Sequence, residues 1–400
     1  MGSLPTPPTF SPPVHRQGRR YSRAVAGEVE RLGRRAPDPE PGPHRDSAIP
    51  DELSPRHLRR RLLQIAAVGG LIAVVVLTGP GLGEVRNRMA HVSVVWLIAG
   101  CGLEVLSALS YVVIFHAVFC PRMSWTLSYQ IGMAEQGANS VLSVSGAGGL
   151  ALGAWALHRG GMSSEQIGRK SVAFFFLTSL ANVAGVVAFA ALYAVGLLQH
   201  DPNAPLTYGF GAAALAATMI VLALPALLGR EPTGQPARVK EGRLAAVLRF
   251  VRYSLAQGVR DSAVLLRQRS PGVLIGSFGT MAFDLAVLGV CFRAFGASPP
   301  IGVLALGYLI GQLGGNLPVP GGIGGVDGGL IGTFALYHQP LAATTAAVLV
   351  YHAIALWIPA LLGSMAFVQL RRILRREAQP AAICMPLVDP IEPQLDIGAT

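Results

Sequence analysis

The chain has 400 residues, of which 52% are hydrophobic and 13% charged, and its net charge is +11. Soluble domains carry about twice that charged share, so a soluble globule is excluded. The apolar surplus falls in runs of about twenty residues, and most arginines flank those runs. This describes an all-α polytopic membrane protein and no nucleic acid partner.

Residues 1–61 are rich in Pro, Arg and Gly without apolar periodicity, and read as a disordered basic cytoplasmic tail. The first apolar run starts at Leu62, so no cleavable signal peptide is expected. Arg56, Arg59, Arg60 and Arg61 precede it and hold the tail inside. Full crossings are predicted at 62–79, 94–118, 170–197, 206–228, 272–296 and 341–370. The transmembrane domain is therefore 62–370, and 371–400 is a second cytoplasmic tail. Cys101, Cys120, Cys291 and Cys384 lie far apart without metal-ligand spacing, and read as small core residues.

Two further apolar segments, 125–158 and 301–337, are rich in small residues and polar at their centres. The loop Gly229–Ser270 carries nine Lys/Arg against three acids. Within it Leu244, Val247, Val251, Leu255 and Val259 recur at helical spacing. The segment is either an amphipathic helix on the anionic cytoplasmic leaflet or a solvated linker helix.

Charge fixes the topology. With both tails and loop 229–270 inside, Gln199–Pro205 falls outside and His158–Lys170 inside. If 125–158 and 301–337 each crossed once, the nine-cation loop would lie outside, against the positive-inside rule. If each enters and returns, the basic segments fall inside except the short Glu84–His91 linker. These are two re-entrant helical hairpins of opposite orientation, and they predict an inverted repeat. At an offset of 177, Leu97, Ile98, Gly102, Gly137, Asn139 and Gly148 match Leu274, Ile275, Gly279, Gly314, Asn316 and Gly325.

Gly311–Gly332 organises the second half. Pro318 and Pro320 remove backbone donors, and six glycines from Gly321 to Gly329 make a helix entropically costly. Broken backbone at membrane depth survives only when buried or lining a wet cavity. Two half-helices meeting at a break would offer free N–H groups to a phosphate. Asp327 follows the break. Glu104 and Asp284 sit mid-crossing, where a carboxylate needs a partner, a proton or water; they either share a cavity or serve packing alone. Glu135, Gln136, Asn139, Ser143 and Ser145 are the polar groups of the first hairpin, and Gln312, Asn316 and Asp327 those of the second. Tyr351, His352 and Trp357 belong to the last crossing. His352 is either a packing residue or a functional one.

The run NLPVPGGIGGVDGGLIGTFALYHQP, followed by AAVLVYHAIALWIPALLG, resembles the signature of the lysylphosphatidylglycerol synthase transmembrane (flippase-like) family. NSVLSVSGAGGLALGAWALHRGGM resembles its other re-entrant motif more loosely, and the likeness covers about 62–370. The resemblance implies a module that moves a phospholipid between leaflets. No segment here resembles the soluble domain that attaches the amino acid, so aminoacyl transfer is not expected. The family usually has Glu at Asp327 and often Arg at His352. Many members carry Pro and a basic residue near Ser143 and Ser145.

The sequence contains no nucleotide-binding, zinc-protease or serine-hydrolase motif and no metal-ligand set, so no catalytic residue, metal or cofactor is expected. The candidate substrate-binding residues are Asn139, Ser143, Ser145, Asn316, Pro318, Pro320, Asp327, Tyr351 and His352. The intramembrane charges are Glu104, Glu135 and Asp284. The expected function is flipping or related handling of a phosphate-bearing lipid in the cell membrane, with both termini cytoplasmic. The alternative is a non-transporting membrane partner that recruits a lipid-modifying enzyme.

Overall fold

A computed structural model describes residues 83–142, 147–198, 204–227, 243–312 and 325–376, with positions 63, 67, 70, 74, 78 and 79. All fall in the unit Ile49–Thr400. The described residues form helices and no strand. They are α1 (Gly83–Ala90), α2 (Val94–Phe119), α3 (Trp125–Leu142), α4 (Ala147–Arg159), α5 (Ser164–Ala194) and α6 (Ala204–Leu227). After a gap come α7 (Arg243–Arg267), α8 (Pro271–Ala294), α9 (Ile301–Gly311), α10 (Gly325–Leu336) and α11 (Leu341–Arg376). Helices α2, α5, α8 and α11 are long and apolar enough to cross a membrane. The positions described within 63–78 are helical, and the rest of the first expected crossing lies outside the described residues. The N-terminal tail does too, as does the chain beyond Arg376.

Helices α2 and α8 form the central seam and run antiparallel. The Ser93 amide donates to the Ala294 carbonyl, and Ser107 Oγ donates to Asp284 Oδ1. A Cβ at Gly276 would stand 2.6 Å from the Ile114 backbone nitrogen, and one at Gly279 would stand 2.8 Å from Ser110 Oγ. The backbones approach this closely because glycine presents no side chain, the packing mode of helices in lipid.

The order long, short, short, long occurs twice along the chain. Helices α3 and α4 fold back as a hairpin, with Asn139 against Gly149 and Glu135 against Gly153. Helices α9 and α10 do the same, with Gly311 against Gly329 and Gly307 against Phe334. The second pair has arms of 11 and 12 residues. At 1.5 Å per residue each is about 17 Å long, short of the roughly 30 Å hydrocarbon core. Both segments expected to break do so.

Three expectations need correction. Glu84–His91 is not a plain linker: most of it is helical, and Arg88 donates to the Phe295 carbonyl at 3.2 Å. Helix α5 begins at Ser164, six residues before the expected start, because Ser163 and Gln166 form a capping box. Lys170 is thereby drawn into that helix, where Nζ donates to the Val118 and Phe119 carbonyls at 2.9 and 2.7 Å. It satisfies the end of α2, whose last carbonyls have no helical donor. Cys120 is disulfide-bonded rather than a simple core thiol, whereas Cys101 and Cys291 are free.

Helix α7 is amphipathic, but its buried face is a protein contact. Ala256, Gly258, Val259 and Ser262 are buried, and Ser262 Oγ donates to the Ala173 carbonyl of α5. Of the five residues expected on the apolar face, Val259 is buried, Leu255 is half-buried and Val251 is exposed. The side chains of Leu244 and Val247 lie outside the described residues.

Candidate functional site

A cavity of about 310 Å³ lies where the two hairpins approach the crossings. Glu104 of α2 and Asp284 of α8 reach it from near the middle of their helices. Gln136, Asn139 and Ser140 line it from the last turns of α3, beside the first break. Gln312 and Val326 line it from either side of the second break. Tyr351, His352, Ala355, Leu356 and Pro359 supply the remaining wall from α11. Among the described residues no Lys or Arg lines it.

Helix α10 begins at Gly325 and carries Asp327 in its first turn. There the free N–H groups and the positive end of the helix dipole favour an anion. Asp327 is 7% exposed, and His352 Nδ1 on α11 lies 2.8 Å from its Oδ1. His352 also lines the cavity, so the pair joins its wall to the second break.

Asp284 takes hydrogen bonds at both carboxyl oxygens, from Ser107 Oγ and from Tyr308 Oη, the latter at 3.1 Å. Tyr111 Oη donates to Glu135 Oε1 at 3.1 Å. Both tyrosine–carboxylate bonds link residues 24 apart. Each ties a crossing to the first arm of the hairpin that follows, with donor and acceptor exchanged. Gln312 Nε2 donates to Tyr351 Oη at 3.1 Å, anchoring the end of α9 to α11.

Pro359 lies inside α11. It has no N–H to give Ala355, whose carbonyl therefore loses its helical donor at the cavity wall. On the hairpin side, Asn139 Oδ1 accepts from the Gly149 amide at 2.9 Å, closing the two arms near their break.

Of the residues singled out from sequence, Gln136, Asn139, Gln312, Tyr351, His352, Glu104 and Asp284 line one cavity, and Asp327 joins it through His352. Glu135 does not: it is buried, bonded to Tyr111 and packed against Gly153 of α4. Trp357 is 44% exposed, on the outer face of α11. Ser143, Ser145, Asn316, Pro318 and Pro320 lie outside the described residues. Ser107, Ser140 and Tyr308 were missed. For Ser107 a signal existed, since it stands 177 residues before Asp284, the same offset that aligns the two halves. Among the described residues no group of three His, Cys, Asp or Glu could hold a metal ion.

The cavity offers amide and hydroxyl groups, carboxyls able to carry protons, and a helix N-terminus close by. No curated protein matches the chain. The description "Lysylphosphatidylglycerol synthase TM region" matches residues 61–363, well over half of the sequence, and the chain belongs to that family.

Proposed function

We propose that this protein is a non-enzymatic lipid transporter that moves a phosphate-bearing headgroup between leaflets while the acyl chains stay in the bilayer. The observation that carries this reading is the polar cavity beside the middles of α2 and α8, lined jointly by two broken hairpins and three crossings. Gln136, Ser140 and Gln312 present side chains suited to phosphate oxygens, and the first turn of α10 adds backbone donors nearby. The two sets of long, short, short, long helices act as inverted halves that expose the cavity to each leaflet in turn. Both termini and the loop 229–270 face the cytoplasm, and the protein works in the cell membrane.

Reconstituted vesicles test this. They carry a phosphatidylglycerol labelled on its acyl chain, and dithionite is added from outside. With the protein present, quenching passes beyond the outer-leaflet share toward completion. Quenching that stops where it stops in protein-free vesicles overturns the reading.

A further inference from the structure

Glu104 faces the cavity and is 3% exposed, and its Oε2 has no hydrogen-bond partner. A carboxylate so placed is costly unless it holds a proton or gains a partner. Asp284 lines the same cavity and is held from two sides, by Ser107 and Tyr308. Ser107 follows Glu104 by three residues on α2, so the two project from one face of the helix. The Glu104 carboxyl therefore sits one turn from the hydroxyl that grips Asp284.

The other titratable groups at this place are Tyr308 from α9, Tyr351 and His352 from α11, and Asp327 from α10 behind His352. Cys101 of α2 and Cys291 of α8 flank the seam. Among the described residues no lysine or arginine lines the cavity to balance two negative charges. Two carboxylates in a confined site of low dielectric do not both ionise readily, and they titrate as a pair.

We propose that Glu104 and Asp284 form a proton-binding site that holds one exchangeable proton between them. The proton comes from water in the cavity, binds a carboxylate oxygen of the pair, and returns to the cavity on release. Tyr308 and Ser107 fix the Asp284 oxygens, which leaves Glu104 Oε2 as the mobile acceptor. One consequence rests on the lipid-transport reading: a protonated pair carries one negative charge fewer beside an incoming phosphate. Proton and headgroup then load together, and a proton gradient drives the lipid.

Infrared titration of the full-length protein in lipid nanodiscs reads the proton without any transport assay. A protonated-carboxyl stretch that titrates is expected in the wild type. It is lost in both Glu104→Gln and Asp284→Asn and kept in Glu135→Gln. If the band survives both variants, or vanishes only with Glu135, the site is overturned. Should a charge-removing variant misfold, Ser107→Ala takes one hydrogen bond from Asp284 without changing charge. It must shift the band, and an unshifted band overturns the site. In vesicles, lipid movement that ignores an imposed pH gradient overturns the coupling. The titrating band without any lipid movement keeps the proton site and removes the transport reading.

Discussion

His352 Nδ1 on α11 lies 2.8 Å from Asp327 Oδ1 in the first turn of α10. The contact fastens the second half-helix of the second hairpin to the last crossing, at the edge of the polar cavity. Asp327→Asn keeps the shape of the side chain and removes its charge. The expected outcome is a monodisperse protein in detergent with a nearly unchanged melting temperature and no lipid movement in the vesicle assay. Full activity in that variant rejects a functional role for the charge, whereas loss of folding assigns Asp327 to capping.

His352→Ala removes the same contact from the other side and leaves a cavity-facing gap. The contact is a close approach of imidazole and carboxylate between two helices, and removing one side of it also opens a gap in the packing. The melting temperature should fall, and His352→Gln should recover part of the loss by refilling the space. Equal melting of the alanine variant and the wild type would count against the pairing.

Gly137 and Gly363 bring α3 and α11 into backbone contact. A Cβ at Gly137 would stand 2.7 Å from Gly363 Cα, and one at Gly363 would stand 2.5 Å from the Met133 carbonyl oxygen. The obstacle is backbone in both cases, so no side chain can turn aside. Gly363→Ala is expected to destabilise by about 1–3 kcal/mol, the usual cost of overpacking. Gly332, whose added Cβ would meet nothing within 4 Å, is the control and tolerates Ala. Thermal unfolding of the two variants side by side decides the matter.

Asp261 of α7 pairs with Arg169 of α5 at 2.8 Å. Burial raises its carboxyl above the ordinary 3.8, while Arg169 and Lys170 pull it down. The folded state thus takes up this proton more readily than the unfolded chain. Its stabilising contribution is complete below pH 3.8 and is lost as pH rises through the raised value. The melting temperature of the wild type minus that of Asp261→Asn should therefore decline as pH rises through that window. A difference that does not vary with pH contradicts the burial.

Ala204 begins α6 and lies within the connector 199–205 expected outside. A cysteine placed there should react with an impermeant maleimide on intact cells. Reaction only after permeabilisation would reverse the proposed orientation of the chain.

The hairpin limits were legible because small and polar residues interrupt apolar runs. The expected 125–158 and 301–337 became 125–142 with 147–159, and 301–311 with 325–336. The early start of α5 was also written in the chain, in the spacing of Ser163 and Gln166, but the charges on Arg169 and Lys170 argued for a loop. Lipid-facing arithmetic does not foresee a lysine that reaches back to cap a neighbouring helix. The amphipathic period of α7 was visible, yet period alone cannot distinguish a leaflet from α5 as the covering surface. The carboxylates were visible as costly groups in hydrocarbon. Which groups would meet them was not, because Tyr308 and Ser107 come from other helices and drew no attention, and His352, although singled out, could not be paired with Asp327 from sequence.

The glycine seam between α3 and α11 also governs how such a site can diversify. One wall of the cavity is anchored where backbone touches backbone, so its position does not depend on the identity of any side chain. What the cavity admits is set instead by the side chains that meet the space, such as Gln136 and Ser140 beside the seam and Gln312 across from it. Exchanging those positions alters the lining, while Gly137 and Gly363 hold the helices in place.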